Sequence, residues 1–190
     1  MTTGRTRILE EAALLFVDHG YAETSLRGIA TAAGMKAGSV YYHFDSKDQI
    51  IEEVLRAGMD AVNEAFDDAA DRSDDAPAEE RLVAHVTAHL EALFTHGAFT
   101  AAHVTMFHTV PDEVRDVIVP LRDTYEARWS RLLTELASSE RHRDIRLARL
   151  ILLGAMNASL EWYDPEGSES VAGLAREIVT QFWRGFGGTT

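Results

Sequence analysis

The sequence predicts an all-α fold of about nine helices, in which a three-helix helix-turn-helix segment precedes a larger helical domain. Apolar residues recur at intervals of three and four almost throughout, and no stretch shows the alternation that marks a strand. Glycine, serine and acidic residues stand where such helices begin and end. With 190 residues, 46% of them hydrophobic, the chain can bury a core in one domain or in two small ones.

One helix and a second, shorter one of about two to three turns open the chain. Gly20 is a natural stop for helix one, and Gly34 is a natural stop for helix two. Either Thr24 or Ser25 can cap helix two, because a side-chain oxygen there can accept from a free amide of the first turn. The apolar positions with helical spacing are Ile8, Ala12, Leu15, Phe16, Leu26, Ile29, Ala30 and Ala33.

A third short helix follows and ends at Tyr42 or His43. Val40 and Phe44, four residues apart, face inward from it. Since helices two and three are joined by a tight turn at Gly34, the arrangement is a helix-turn-helix.

The fourth helix is long and begins near Lys47, with Asp45 or Ser46 as its cap. It fades into the acidic, proline-containing stretch DDAADRSDDAPAEER, which indicates a connection. Further helices are predicted at about residues 78–95, 98–108, 111–138, 142–162 and 168–185.

Composition excludes several classes of site. The chain has no cysteine, so disulfides, thiolate catalysis and cysteine-ligated metal centres are excluded. No catalytic motif is present, and we expect neither an enzyme nor a cofactor. Because no apolar run could cross a bilayer and no signal-peptide pattern is found, we expect a cytoplasmic protein without a membrane partner. Most of the net charge of −13 lies beyond residue 56, where it favours solubility.

The segment KAGSVYYH on the third helix suits the major groove of DNA. Small residues such as Ala37 let the helix enter the groove, where Lys36 or Ser39 can meet base edges. Hydrogen-bond donors for the sugar-phosphate backbone follow at Tyr41, Tyr42, His43 and Lys47. Alternatively, Tyr41 packs against helix one and Lys47 is a solvated charge.

The stretch from TRILEEAALLF through LRGIATAAG and YYHFDSK to EEVL resembles the DNA-binding domain of the TetR family of bacterial transcription repressors. We accordingly place a DNA-binding domain at residues 1–50 and an effector-binding and dimerisation domain at residues 51–190. The resemblance implies an effector-released repressor that binds a pseudo-palindromic operator in double-stranded DNA as a dimer. It assigns DNA-backbone contacts to Thr24, Arg27, Tyr41, Tyr42, His43 and Lys47, and base-facing positions to Lys36, Ala37 and Ser39.

A dimer surface is expected at the last two helices. A module that reads one half-site needs a second copy, and these helices are apolar around more of their circumference than one core can cover. The predicted interface residues are Leu150, Gly154, Ala158, Leu174, Ile178 and Phe182.

The second domain also carries bulky residues with scattered polar atoms, as small-molecule cavities do. The predicted effector contacts are Phe99, His103, Phe107, Tyr125, Trp129, Met156, Asn157 and Leu160. An ordinary core is the alternative for most of them.

A second resemblance concerns the effector. FHTVPDEVRDVIVPLRDTYEARW and NASLEWYDPEGSES are similar to the C-terminal domains of TetR-type regulators of fatty-acid and steroid catabolism, which respond to acyl-CoA thioesters. It implies a hydrophobic effector such as an acyl-CoA thioester, whose phosphates Arg122 or Arg128 could bind.

A rival hypothesis is a helical small-molecule-binding or metal-binding protein that does not regulate DNA. His85 and His89, one helical turn apart, make a zinc site conceivable. Ordinary surface or core histidines are the simpler interpretation, because no cysteine and no HExxH motif accompany them.

Overall fold

The structure, a computed structural model, describes residues 3–137 and 144–186. Over these ranges the chain forms nine α-helices, one 3₁₀ turn and no strand, which confirms the predicted all-α class. The helices are α1 (Gly4–Glu23), α2 (Leu26–Ala32), α3 (Ala37–His43), α4 (Lys47–Ser73), α5 (Ala78–Thr95), α6 (Gly97–Met106), α7 (Asp112–Leu136), α8 (Ile145–Ala158) and α9 (Val171–Phe186), with the 3₁₀ turn at Ser159–Glu161.

Serine hydroxyls select the starts of two helices for which the sequence left alternatives open. Ser25 Oγ accepts from the Gly28 amide at 3.1 Å and caps α2. Ser46 Oγ accepts from the Gln49 amide at 3.1 Å at the start of α4. Gly20 interrupts α1 with a φ of +81°, as expected of a stop, and a short helical stretch continues to Glu23.

The last helices are shorter than predicted. The helix predicted over 142–162 begins at Ile145 behind Asp144, whose carboxylate accepts from the Leu147 amide at 3.1 Å. It changes to the 3₁₀ turn at Ser159, whose hydroxyl donates to the Met156 carbonyl at 2.6 Å. Ser170 caps α9 by accepting from the Gly173 amide, and the helix begins at Val171 instead of the predicted residue 168. The predicted positions 138, 142 and 143 lie outside the described residues.

The chain divides into two compact units and passes between them at three points, inside α4, between α5 and α6, and inside α7. The first unit contains the chain up to Ala61 together with His96–Arg122. The second contains Val62–Thr95 together with the chain from Asp123 onward. The boundary at residues 50/51 between a DNA-binding and an effector domain stays a prediction.

In the first unit, α1 to α3, α6 and the starts of α4 and α7 enclose one apolar core. α1 packs along α6 as well as against α2 and α3. Fully buried members of this core are Ile8, Phe16, Ile29, Val40, Ile51, Leu55 and Ala102.

In the second unit, α5 packs against α8 and α9, and α8 packs against α9. Its buried side chains include Leu82, Val86, Leu90, Trp129, Leu133, Leu152, Met156, Ala175 and Val179. Among the described helices, none is long and apolar enough to span a membrane.

Candidate DNA-binding and effector sites

One side of α3 is held by the core and the opposite side is open to solvent. Val40 and Phe44 are buried at 0% and 1% exposure. Tyr41 and Tyr42, between them in sequence, are 60% and 85% exposed. Tyr41 therefore does not bury its ring against α1, and both hydroxyls are presented to solvent. The remaining predicted groove residues, Lys36, Ala37 and Ser39, are exposed as well.

The turn before α3 fixes where this open face begins. Gly34 has a φ of +66°, which a side chain would disfavour. The Met35 amide donates to the Ala30 carbonyl at 2.8 Å and closes the end of α2. Lys36 is the N-cap residue of α3, so its exposed side chain lies at the N-terminal end of that helix.

Both helices that precede this turn carry an exposed cation. Arg27, a predicted phosphate contact, is exposed on α2. Arg7 is exposed on α1 and was missed, although its guanidinium reaches within 3.6 Å of the position where a Cβ on Gly34 would stand. Its only sequence signal is its place directly before the buried Ile8. His43 is half-buried, with its Nε2 3.5 Å from the corresponding Cβ position on Gly4.

Thr24 and Lys47 make internal hydrogen bonds instead of facing outward. Thr24 is 4% exposed, and its hydroxyl donates to the carbonyls of Gly20 at 2.8 Å and Leu15 at 3.1 Å. Lys47 Nζ donates to the carbonyls of Tyr21 at 2.7 Å and Thr24 at 2.9 Å. The resemblance assigned contacts with the DNA backbone to both residues, and that assignment stays a prediction. In this structure, the hydroxyl of Thr24 and the ammonium of Lys47 bind carbonyls of their own chain.

The second unit contains a buried cluster of aromatic and polar side chains. His89 Nδ1 lies 2.7 Å from the Tyr125 hydroxyl, and His89 Nε2 lies 3.4 Å from Asn157 Oδ1. Trp129 and Phe66 pack edge-on at 5.3 Å between ring centroids. α4, α5, α7 and α8 thus each supply at least one side chain to one site, and His89 and Phe66 are the members that the effector prediction left out.

Burial sets the ionisation of this cluster. It lowers the pKa of His89 to about 4, although the bond to Asn157 acts in the opposite direction. It also raises the pKa of the Tyr125 hydroxyl. His89 is therefore neutral near pH 7. Since the amide oxygen of Asn157 accepts, Nε2 carries the proton and Nδ1 accepts from Tyr125.

Arg122 and Arg128, the two arginines of α7 that were predicted to bind phosphates, have other contacts within their own units. Arg128 forms an ion pair with Asp67, donates to Asn63 Oδ1 at 3.0 Å and lies 4.5 Å from the Phe66 ring centroid. In the first unit, the Arg122 guanidinium lies 4.0 Å from the Phe107 ring centroid. A phosphate group bound at Arg128 would have to share it with Asp67.

The predicted effector residues divide between the two units. Tyr125, Trp129 and Met156 are buried in the second unit, where Asn157 and Leu160 are half-buried. Phe99, His103 and Phe107 belong to the first unit. There, burial and the nearby Arg122 lower the pKa of His103 to about 4. The effector contacts of these eight residues stay predictions.

α8 leaves a stripe of apolar and small residues exposed. Leu150 and Ile151 are 44% and 57% exposed, and Gly154 and Ala158 are exposed one and two turns further on. Trp162, after the 3₁₀ turn, is 62% exposed. On α9, Ile178 and Phe182 are half-buried, whereas Leu174 is 7% exposed and is packed within its own unit.

The histidines that raised the zinc hypothesis have other partners. His85 Nδ1 lies 2.8 Å from the Arg81 carbonyl oxygen, and His89 contacts Tyr125. In the parts of the chain that the structure describes, no group of three or more histidine, aspartate or glutamate residues could hold a metal ion.

Two family models together match most of the chain. Residues 8–54 match the model described as bacterial regulatory proteins of the tetR family. Residues 75–186 match the model described as the tetracyclin repressor-like C-terminal domain. The first match contains α2 and α3 with its exposed face. The second contains His89, Tyr125 and Asn157, which α5, α7 and α8 contribute to the buried cluster.

Individual relatives are similar to this chain over nearly its full length. The HTH-type transcriptional repressor KstR2 of Rhodococcus jostii RHA1 is 31% identical over 180 residues, covering 93% of this chain and 87% of the relative. A TetR-family regulator from Bordetella parapertussis 12822 superposes with a TM-score of 0.84 at 25% identity, covering 94% and 93% of the two chains.

A third comparison concerns the fold alone. AibR, solved in complex with isovaleryl coenzyme A and operator DNA, has a TM-score of 0.81 at 24% identity and covers 94% of this chain and 97% of its own.

Proposed function

The chain belongs to the TetR family of bacterial transcriptional regulators, and we propose that it is a repressor that binds a pseudo-palindromic operator as a dimer and leaves it when a small-molecule effector binds. The observation that carries DNA binding is the two-sided α3. Its buried Val40 and Phe44 fix the helix, while Tyr41 and Tyr42 project from it. A rigid helix with exposed donors is what groove recognition requires.

We assign the direct DNA contacts to exposed side chains. Lys36, Ala37 and Ser39 at the start of α3 face the bases, because the small Ala37 lets the helix enter the groove and Lys36 and Ser39 carry donors for base edges. Contacts to phosphates come from the donors Arg27, Tyr41, Tyr42 and His43. Arg7 joins the phosphate contacts, because its exposed guanidinium lies beside the Gly34 turn.

The exposed stripe of α8 supports the dimer. Leu150, Ile151, Gly154 and Ala158 together present apolar and small residues that a second copy would cover in an isologous contact. A dimer supplies the two recognition helices that a palindrome needs. Since an operator-binding protein acts at the chromosome, we expect it in the cytoplasm, and we assign it no enzymatic activity.

For the effector we propose a hydrophobic compound, with acyl-CoA thioesters as the class to test first. The fold neighbour AibR was solved with isovaleryl coenzyme A and operator DNA, which supports this class. The proposed contacts are Tyr125, Trp129, Met156, Asn157 and Leu160 of the second unit. His89, neutral and bonded to Tyr125, offers a polar end within this apolar surrounding. Release requires the effector to bind the DNA-free conformation more tightly than the DNA-bound one.

The experiment is selection of genomic DNA fragments with the purified protein, followed by sequencing of the retained ones. A shared palindrome is expected, upstream of genes whose products suggest the effector. If no fragment is enriched at low salt from an intact dimer, the repressor proposal fails and a helical small-molecule-binding protein takes its place.

A further inference from the structure

The C-terminal end of α1 receives its positive charge from another helix. Carbonyl groups at a helix C-terminus lack partners and carry partial negative charge, which nearby cations stabilise. The last turn of α1, which is the short helical stretch after the break at Gly20, holds no basic residue. Lys47, the first residue of α4, supplies the cation instead.

The ammonium of Lys47 is surrounded by groups of this end. Its Nζ donates to the carbonyls of Tyr21 at 2.7 Å and Thr24 at 2.9 Å. It also lies 4.0 Å from the Tyr21 ring centroid, a distance at which a cation is attracted by the aromatic face. An ammonium group has three donors. The carbonyls of Tyr21 and Thr24 accept from two of them, and the Ala22 carbonyl lies 3.5 Å from Nζ as a third, longer contact.

Neighbouring residues tighten the same contact. The Tyr21 hydroxyl donates to Asp48, so consecutive residues of α4 bind the ring face and the hydroxyl of one tyrosine. The Tyr21 ring stacks on Phe16 of the core, with 6.1 Å between centroids. Thr24, whose carbonyl Lys47 binds, directly precedes Ser25, the cap of α2.

We propose that Lys47 is a positioning residue for operator recognition, which ties the start of α4 to the connection between α1 and α2 and thereby orients the helix-turn-helix. It acts through carbonyls of its own chain and not through a phosphate of the DNA. The proposal rests on the operator binding proposed above. Loss of the cation frees the connection that leads into α2, so that α3 no longer has one orientation in the groove.

The test compares Lys47→Met with Arg27→Met, the matched loss of a cation at an exposed position. Methionine keeps the unbranched stem and removes the charge. Affinity is measured for a selected operator fragment and for a shuffled fragment of the same length over a salt series. For Lys47→Met we expect operator affinity to fall about tenfold, affinity for the shuffled fragment to change less than about twofold, and the salt slope to stay unchanged. Arg27→Met should lower the slope by about one unit per subunit and weaken both fragments alike.

A second variant covers the case in which Lys47→Met does not fold, which circular dichroism would show. Tyr21→Phe keeps the ring and removes the hydroxyl that binds Asp48, without changing any cation. It should also lower the ratio of operator to shuffled affinity. The double variant should lose less than the product of the two single losses, because both act on one contact.

Two results would overturn the proposal. One is a lower salt slope for Lys47→Met with equal weakening of both fragments, which would identify a phosphate contact. The other is an unchanged affinity ratio in every folded variant. A wild-type protein that retains no fragment would instead contradict the proposed function.

Discussion

The buried histidine of the second unit should make that unit lose stability in mild acid. The pKa of His89 is lowered from 6.5 to about 4, so the folded unit keeps it neutral while the unfolded chain binds a proton. Unfolding free energy is therefore at its full value above pH 6.5 and decreases as the pH falls toward 4, by about 1.4 kcal/mol per pH unit at most. Between pH 7 and 5, this amounts to about 2 kcal/mol for this one residue.

The perturbation that isolates this effect is His89→Gln, because glutamine keeps a polar side chain near Tyr125 and cannot titrate. Urea unfolding at pH 7 and pH 5 is followed by tryptophan fluorescence at one protein concentration. All three tryptophans, Trp129, Trp162 and Trp183, belong to the second unit, so the signal reports on that unit. Wild type should lose about 2 kcal/mol more than the variant on this change of pH.

The pKa of His85 in the same unit is also lowered by burial, so both proteins should lose stability in acid and only their difference belongs to His89. His19→Gln, at an exposed position of α1, controls for the loss of a histidine as such. An equal loss in wild type and His89→Gln would refute the reasoning, because it would mean that the folded and unfolded states bind the same protons at this residue.

Three further substitutions test other parts of the structure. Gly58→Ala places a Cβ 2.6 Å from the Phe99 carbonyl oxygen and should lower the free energy of unfolding by about 1–3 kcal/mol through packing strain. Gly38→Ala, whose Cβ would meet nothing within 4 Å, should raise it by up to about 1 kcal/mol. Equal shifts of the two variants in thermal unfolding would contradict this. Ile151→Glu puts a charge on the exposed stripe of α8 and should dissociate the dimer in sedimentation experiments, and an intact dimer would exclude that stripe from the interface. Lys36→Met should weaken discrimination at one operator base pair by about 1–3 kcal/mol, while an unchanged base preference in fragment selection would remove Lys36 from the base contacts.

Much of the fold follows from local signals. Helical spacing of apolar residues and the stops at Gly20 and Gly34 suffice to predict α1 to α4. The differences arise where a single hydroxyl competes with the pattern, as Ser159 does when it bonds to the Met156 carbonyl and ends α8. Local spacing also carries no information on which helices pack together, so the association of α6 with α1 could not be predicted.

The part of the candidate DNA surface on α3 was predictable for the same reason, because its exposed residues are neighbours on one short helix, whereas Arg7 on α1 was missed. The roles of Lys47 and His89 were not. The carbonyls that Lys47 binds lie 26 and 23 residues before it, and the hydroxyl that His89 binds lies 36 residues after it. His89 carries a helical spacing with His85 that suggested a metal, whereas its actual partners come from α7 and α8.

The most direct test of effector-responsive repression is fluorescence anisotropy of a selected operator fragment titrated with the protein. We predict saturation at two chains per palindrome and an affinity that falls steeply with salt concentration. Addition of an acyl-CoA thioester or another hydrophobic effector should release the fragment. Binding that is equally strong to a shuffled fragment, or that saturates with one chain per palindrome, would contradict the account.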